Sequence, residues 1–167
     1  MDIPRQPLAV VMQRRTIDNP WQSEVWEPAG VLLDFPPAKE PRILVDIPTL
    51  TQWLFCGFEV VLHVSEAEGY FHNVTTPTPS VFVLWRMEAG LAVPHYVTVS
   101  YDEASRWMDG GAQVDPVAMP GPMCGWLRDF VRQNYRPEPK KRLRPRSFLT
   151  PGDRVPSPTL PSLEKCK

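Results

Sequence analysis

The sequence predicts an α+β, mainly β fold: a small, strongly curved antiparallel sheet or partly open β-barrel of about seven strands. A short helix and a C-terminal packing helix complete it, and an extended tail follows. Three observations predict this class. Twenty-one prolines in 167 residues favour turns and short strands over long helices. The stretch Val81–Met87 is apolar on both of its alternating faces, as in a strand at the middle of a covered sheet. Beyond Ser100 the apolar period changes from that of a strand to that of a helix.

Taken in order, Leu8 to Ile17 predicts the first strand, and Asp18-Asn19-Pro20 is turn chemistry. Ser23 to Leu33 predicts the second, with Pro28 and Gly30 demanding an edge position or a bulge. Ile43 to Ile47 is a short third strand after a proline-rich loop. Gly57 to Val64 alternates, with Phe58, Val60, Leu62 and Val64 on one side. Ser65-Glu66-Ala67-Glu68-Gly69 reads as a hairpin turn, Gly69 supplying positive φ, and Tyr70 to Thr75 as the returning strand. Val81–Met87 and His95–Ser100 follow. Ser100-x-x-Glu103 is a capping-box pattern opening a helix that ends at Met108, before Asp109-Gly110-Gly111. Val114–Pro120 reads as an extended connector. Pro122 to Tyr135 predicts the last helix, with Met123, Trp126, Leu127, Phe130 and Val131 as its apolar stripe.

Two parts of opposite charge result. Residues 136–167 hold nine Lys/Arg against three Asp/Glu, leaving nine against sixteen in residues 1–135. The expected organisation is one β-rich domain over 1–135 and a basic, proline-rich tail over 136–167. Apolar runs stop well short of the roughly 20 residues that span a bilayer, so no membrane insertion is expected. The N-terminus lacks the basic and apolar regions of a signal peptide, and Cys56, Cys124 and Cys166 are odd in number and scattered. A cytoplasmic location with free thiols is therefore expected.

No spacing specifies a reaction, so no catalytic residue, cofactor or metal ligand is assigned. His63 faces His72 if the hairpin loop has four residues, and faces Asn73 if it has three. In the first register Glu59 is a diagonal neighbour, and a small metal- or ligand-binding barrel, possibly an enzyme, is the alternative reading. Cys124 lies near a helix N-terminus, but a free cysteine is commonly a small buried residue. Gly110-Gly111 follows a helix instead of opening one, and so terminates it without cradling phosphate. Asn73-Val74-Thr75 matches a glycosylation acceptor, without meaning in a cytoplasmic protein.

The candidate partner-binding residues are Trp21 and Trp26, flanking the first turn, and Arg136, Lys140, Lys141, Arg142, Arg144 and Arg146 in the basic run. Nucleic-acid binding through the tail is a second alternative. The acidic body and the scarcity of aromatics among the basic residues argue against it.

Several phrases together carry a resemblance. They are Asn19-Pro20-Trp21-Gln22-Ser23-Glu24-Val25-Trp26, Glu66-Ala67-Glu68-Gly69-Tyr70, Trp85-Arg86-Met87 and Val97-Thr98-Val99-Ser100-Tyr101-Asp102-Glu103-Ala104. Met108-Asp109-Gly110-Gly111, Val114-Asp115-Pro116-Val117 and Tyr135-Arg136-Pro137-Glu138-Pro139-Lys140-Lys141-Arg142 complete the set. Over about residues 8–148 the chain resembles a proteobacterial family of unknown function whose genes lie among those of molybdenum- or tungsten-dependent formate dehydrogenases. The resemblance implies a non-catalytic accessory or small interaction subunit, with formate dehydrogenase subunits or assembly factors as partners.

Overall fold

The computed structural model describes residues 2–139. Seven strands form two antiparallel sheets, and three helices pack on them. The strands are β1 (Arg5–Thr16), β2 (Glu24–Leu33), β3 (Arg42–Ile47), β4 (Leu50–Val61), β5 (Ser80–Glu88), β6 (Leu91–Thr98) and β7 (Val114–Ala118). The helices are α1 (Ala67–Val74), α2 (Tyr101–Asp109) and α3 (Gly121–Asn134). One sheet runs β2-β1-β4-β3 and the other β6-β5-β7. The mainly β, antiparallel character agrees with expectation, but the count of seven matches only because Val114–Ala118 takes the place of the expected strand Tyr70–Thr75. The arrangement is not a barrel, because each sheet keeps its own two edges.

The strand Val81–Met87 does occupy the middle of its sheet. Val81, Val83 and Trp85 enter the main core, while Phe82 and Leu84 join Ala104 and Val114 beneath α2. Met87 passes beyond this cover and is exposed. Ala89 and Gly90, both at positive φ, close the two-residue turn into β6. The main core is shared by the inner faces of both sheets: Leu8, Val10, Met12, Val31 and Val60 from one, and Val81, Val83, Ala92 and Val117 from the other. Met123, Leu127 and Val131 close it from α3, so three of the five stripe residues are buried.

Proline and glycine act where the strand pattern requires them. Val11 pairs with Gly30 and Met12 with Pro28, which leaves Ala29 as a bulge on the edge strand β2. Gly57, at φ +92°, lets β4 bulge opposite Ala9, between the pairs Leu8–Phe58 and Val10–Phe55. β6 and β7 tolerate Pro94 and Pro116 because both are edge strands.

Four expectations are corrected. The hairpin of residues 63–75 does not exist: a 3₁₀ turn at Val64–Glu66 leads into helix α1. Ala67, Tyr70, Phe71 and Val74 stand at i, i+3, i+4 and i+7, a helical period that the turn-like Ser-Glu-Ala-Glu-Gly composition obscured. Gly69 lies inside that helix and is needed for close approach, since a Cβ there would sit 2.1 Å from Ser100 Oγ. β4 begins at Leu50, seven residues before the alternation at Gly57, and β6 begins at Leu91. Val114–Ala118 is a strand and not a connector, because Val114 and Val117 find covered places beside β5.

The N-cap half of the box at Ser100 forms directly, while the return half runs through Thr98, whose Oγ1 accepts from the Ser100 N–H and donates to the Glu103 carboxylate. Ser100 Oγ accepts from the Glu103 backbone N–H at 3.1 Å and donates to Glu66 at 2.8 Å. Gly111, at φ +85°, ends the turn after α2. Asn73 is fully buried and joins three elements: its amide donates to the carbonyls of Ser80 (2.7 Å) and Val99 (2.8 Å), and its Oδ1 accepts from the Ser80 N–H (3.0 Å). A glycan cannot be attached to this side chain in the folded protein.

Candidate partner-binding surface

Past the rows that cover the core, the four-stranded sheet runs on into two adjacent hairpin tips. One joins β1 to β2 through residues 17–23, and the other is the two-residue turn Pro48-Thr49 between β3 and β4. A hydrogen bond from Thr16 N–H to the Thr49 carbonyl ties them together. Within the first tip, Asn19 Oδ1 accepts from the Trp21 N–H at 2.9 Å. This Asx-type bond holds the backbone while the indole of Trp21 points into solvent, 93% exposed. An indole left this open buries almost none of its large apolar surface within the described residues.

Trp26 is different. It stacks on Trp53 with ring centroids 5.4 Å apart, and the Arg14 guanidinium lies 5.9 Å above its ring. Its Nε1–H donates to Glu24, and Arg14 donates to Thr51. Of the two tryptophans singled out by sequence, Trp21 offers a free face and Trp26 is largely spoken for by intramolecular contacts. Trp53, which completes the stack, was missed because Leu50–Cys56 gives no clean alternation before the bulge at Gly57.

Beside this cluster, the Arg15 guanidinium hydrogen-bonds Glu27 and holds its carboxyl below the usual carboxylate range, aided by Gln13 and opposed by partial burial. A lowered folded-state value means the pair's stability contribution is complete above the ordinary carboxylate range. It is lost as pH falls through the lowered value. Arg15→Gln should therefore give a slightly less stable protein at neutral pH, whose acid-unfolding curve merges with wild type below that point. Urea denaturation across pH checks this.

Arg136 is exposed just beyond α3, and Lys140, Lys141, Arg142, Arg144 and Arg146 lie outside the described residues. Cys166 lies there too. Cys56 and Cys124 are half-buried free thiols.

The alternative site at His63, His72 and Glu59 is not assembled. His72 rides on α1 with Nδ1 2.8 Å from Asp102, Glu59 pairs with Arg5, and the His63 backbone N–H donates to the Tyr70 hydroxyl at 3.1 Å. His63 and Glu59 do line a cleft of about 470 Å³ with Glu66, Tyr70, Thr98 and Glu103. Its carboxylates are occupied: Glu66 accepts from Ser100 and Arg106, and Glu103 from Thr98. Burial pushes the Tyr70 phenol up, and the hydrogen bond from His63 only partly offsets this, so the hydroxyl stays protonated. Among the described residues no three His, Cys, Asp or Glu side chains converge as a metal site would need.

Residues 7–144 match the family model described as "Protein of unknown function (DUF3305)". The chain belongs to this family. No curated protein and no solved structure matches it. The DUF3305 match takes in β1 from Pro7 onward, the other six strands and the three helices, and runs on through Lys140, Lys141, Arg142 and Arg144. Both Trp21 and the greater part of the basic run thus belong to the family domain. Among the described residues of this DUF3305 chain, no helix is long and apolar enough to cross a membrane.

Proposed function

We propose that this chain is a non-catalytic accessory or small interaction subunit of a formate dehydrogenase system in the cytoplasm. It binds the enzyme's subunits or assembly factors through the β domain and the basic segment. The observation that carries a binding role is Trp21: a rigid hairpin tip presents an almost fully exposed indole, the side chain most enriched among interface anchors. The charge layout supports a second, electrostatic contact, since a basic run of this density suits an acidic protein surface. The formate dehydrogenase assignment rests on the resemblance carried by the phrases from Asn19-Pro20-Trp21 to Lys140-Lys141-Arg142.

Affinity capture of the tagged chain from its native host tests this. Formate dehydrogenase subunits or maturation factors should co-purify, and their absence would refute the assignment. Trp21→Ala should weaken capture at least tenfold while leaving unfolding unchanged, because a truncated hot-spot tryptophan costs about 2 kcal/mol or more of binding. Removing residues 136–167 should weaken capture more at low salt than at high salt, with folding intact.

A further inference from the structure

We infer that the free edge of β3 pairs with β3 of a second copy, giving a weak two-fold dimer with a continuous eight-stranded sheet. Among the described residues β3 pairs with β4 alone, so its outer side presents unpaired backbone groups. Each face of the strand carries exposed apolar side chains beside a single charge, Arg42 on one and Asp46 on the other. Ile43, 57% exposed, stands in the row of Trp53, and Ile47, 49% exposed, stands on the opposite face in the row of Leu50. Neither face carries the inward-pointing lysine that commonly blocks such an edge.

Self-pairing is favoured over an unrelated strand by the layout of the segment. Pro41 and Pro48 bracket the six residues Arg42–Ile47, and neither proline has an N–H. An antiparallel ladder centred between Leu44 and Val45 sets Arg42 opposite Ile47 of the second copy and Ile43 opposite its Asp46. Both pairings join residues on the same sheet face: Arg42 and Ile47 share the rows of Leu54 and Leu50, and Ile43 and Asp46 those of Trp53 and Thr51. The two prolines then fall opposite each other and end the ladder at both sides. This antiparallel ladder keeps Arg42 away from Arg42 and Asp46 away from Asp46, whereas a parallel in-register arrangement would set like charges side by side. The bulge at Leu44 lies next to the two-fold axis. Six rungs bury far less than the roughly 800 Å² per partner of a standard interface, so the dimer forms in the micromolar range and not below it.

Sedimentation of the full chain across that concentration range decides the matter. The mass should rise from 19.1 kDa toward twice that value. Ile47→Lys, which sets a lysine against Arg42 of the second copy, should raise the dissociation constant at least tenfold. Ile47→Glu, which sets a carboxylate there, should retain the dimer, and because Ile47 is half-exposed neither change threatens folding. A single 19.1 kDa species throughout would overturn the dimer. Equal loss in both variants would overturn this register. Amide protection of β3 that appears only when host extract is added would assign the edge to another protein's strand and so reject self-pairing. Trp21→Ala should leave sedimentation unchanged, so this test and the capture of formate dehydrogenase components can fail separately.

Discussion

Gly69→Ala is expected to destabilise the protein by about 3 kcal/mol, although alanine is the better helix former. In an exposed helix interior the exchange would stabilise by roughly 0.5–1 kcal/mol. Here the new methyl would lie 2.1 Å from Ser100 Oγ, 3.2 Å from Ser100 Cβ and 3.3 Å from Asp102 Cβ. Ser100 is fully buried, and its hydroxyl both caps α2 and donates to Glu66, so it cannot turn aside without breaking two bonds. Overpacking costs about 1–3 kcal/mol and a lost cap about 1 kcal/mol, which together outweigh the helix propensity. Chemical denaturation measures the sum, and Ser100→Gly supplies the control. The double variant should cost clearly less than the two single changes added together, because the clash is with Ser100 itself. A Gly69→Ala protein as stable as wild type would mean that α1 and α2 are not packed this closely.

Asn73→Ala should cost at least as much, about 3 kcal/mol or more. Truncation removes two donated bonds and one accepted bond at a side chain 1% exposed, and leaves the Ser80 and Val99 carbonyls without this donor. Asn73→Asp should be no better, since a carboxylate cannot donate to those carbonyls and would be buried beside them. Asn73 ties α1 to the start of β5 and to the chain leaving β6. Hydrogen exchange in the alanine variant should therefore quicken at those three places before it quickens in the β1–β4 ladder. Uniform loss of protection would show that Asn73 is not a local tie.

The two sites explain what the sequence made legible. Val81–Met87 announced itself because its first five residues, Val81 to Trp85, are covered on both faces and include no polar residue to confuse the period. Ser100-x-x-Glu103 was legible because a cap is local chemistry, complete within four residues. The α3 stripe was legible for the same reason that α1 was not: its 14 residues repeat the helical period, whereas α1 has eight and carries a glycine in its first turn. What Gly69 and Asn73 do depends on Ser100, Ser80 and Val99, partners that no local pattern near residue 70 reveals. The candidate surface divides in the same way. Trp21 was recognisable from its place in a turn, but whether Trp26 was free depended on Trp53, 27 positions away in sequence and opposite Met12 on a strand whose bulge masks its alternation.

The position of β1 inside the sheet order β2-β1-β4-β3 has a consequence during synthesis. Its centre, Leu8 to Met12, is the most deeply buried run among the described residues, yet it is made before the strands that cover it. Hairpin pairing with β2 can protect one flank early, but Leu54, the β4 partner of Val11, is made 43 residues later. Until then the nascent chain shows a bare aliphatic flank of the kind that recruits chaperones. Chaperone holding of the nascent chain should therefore persist until Leu50–Val61 has cleared the exit tunnel, and then fall away.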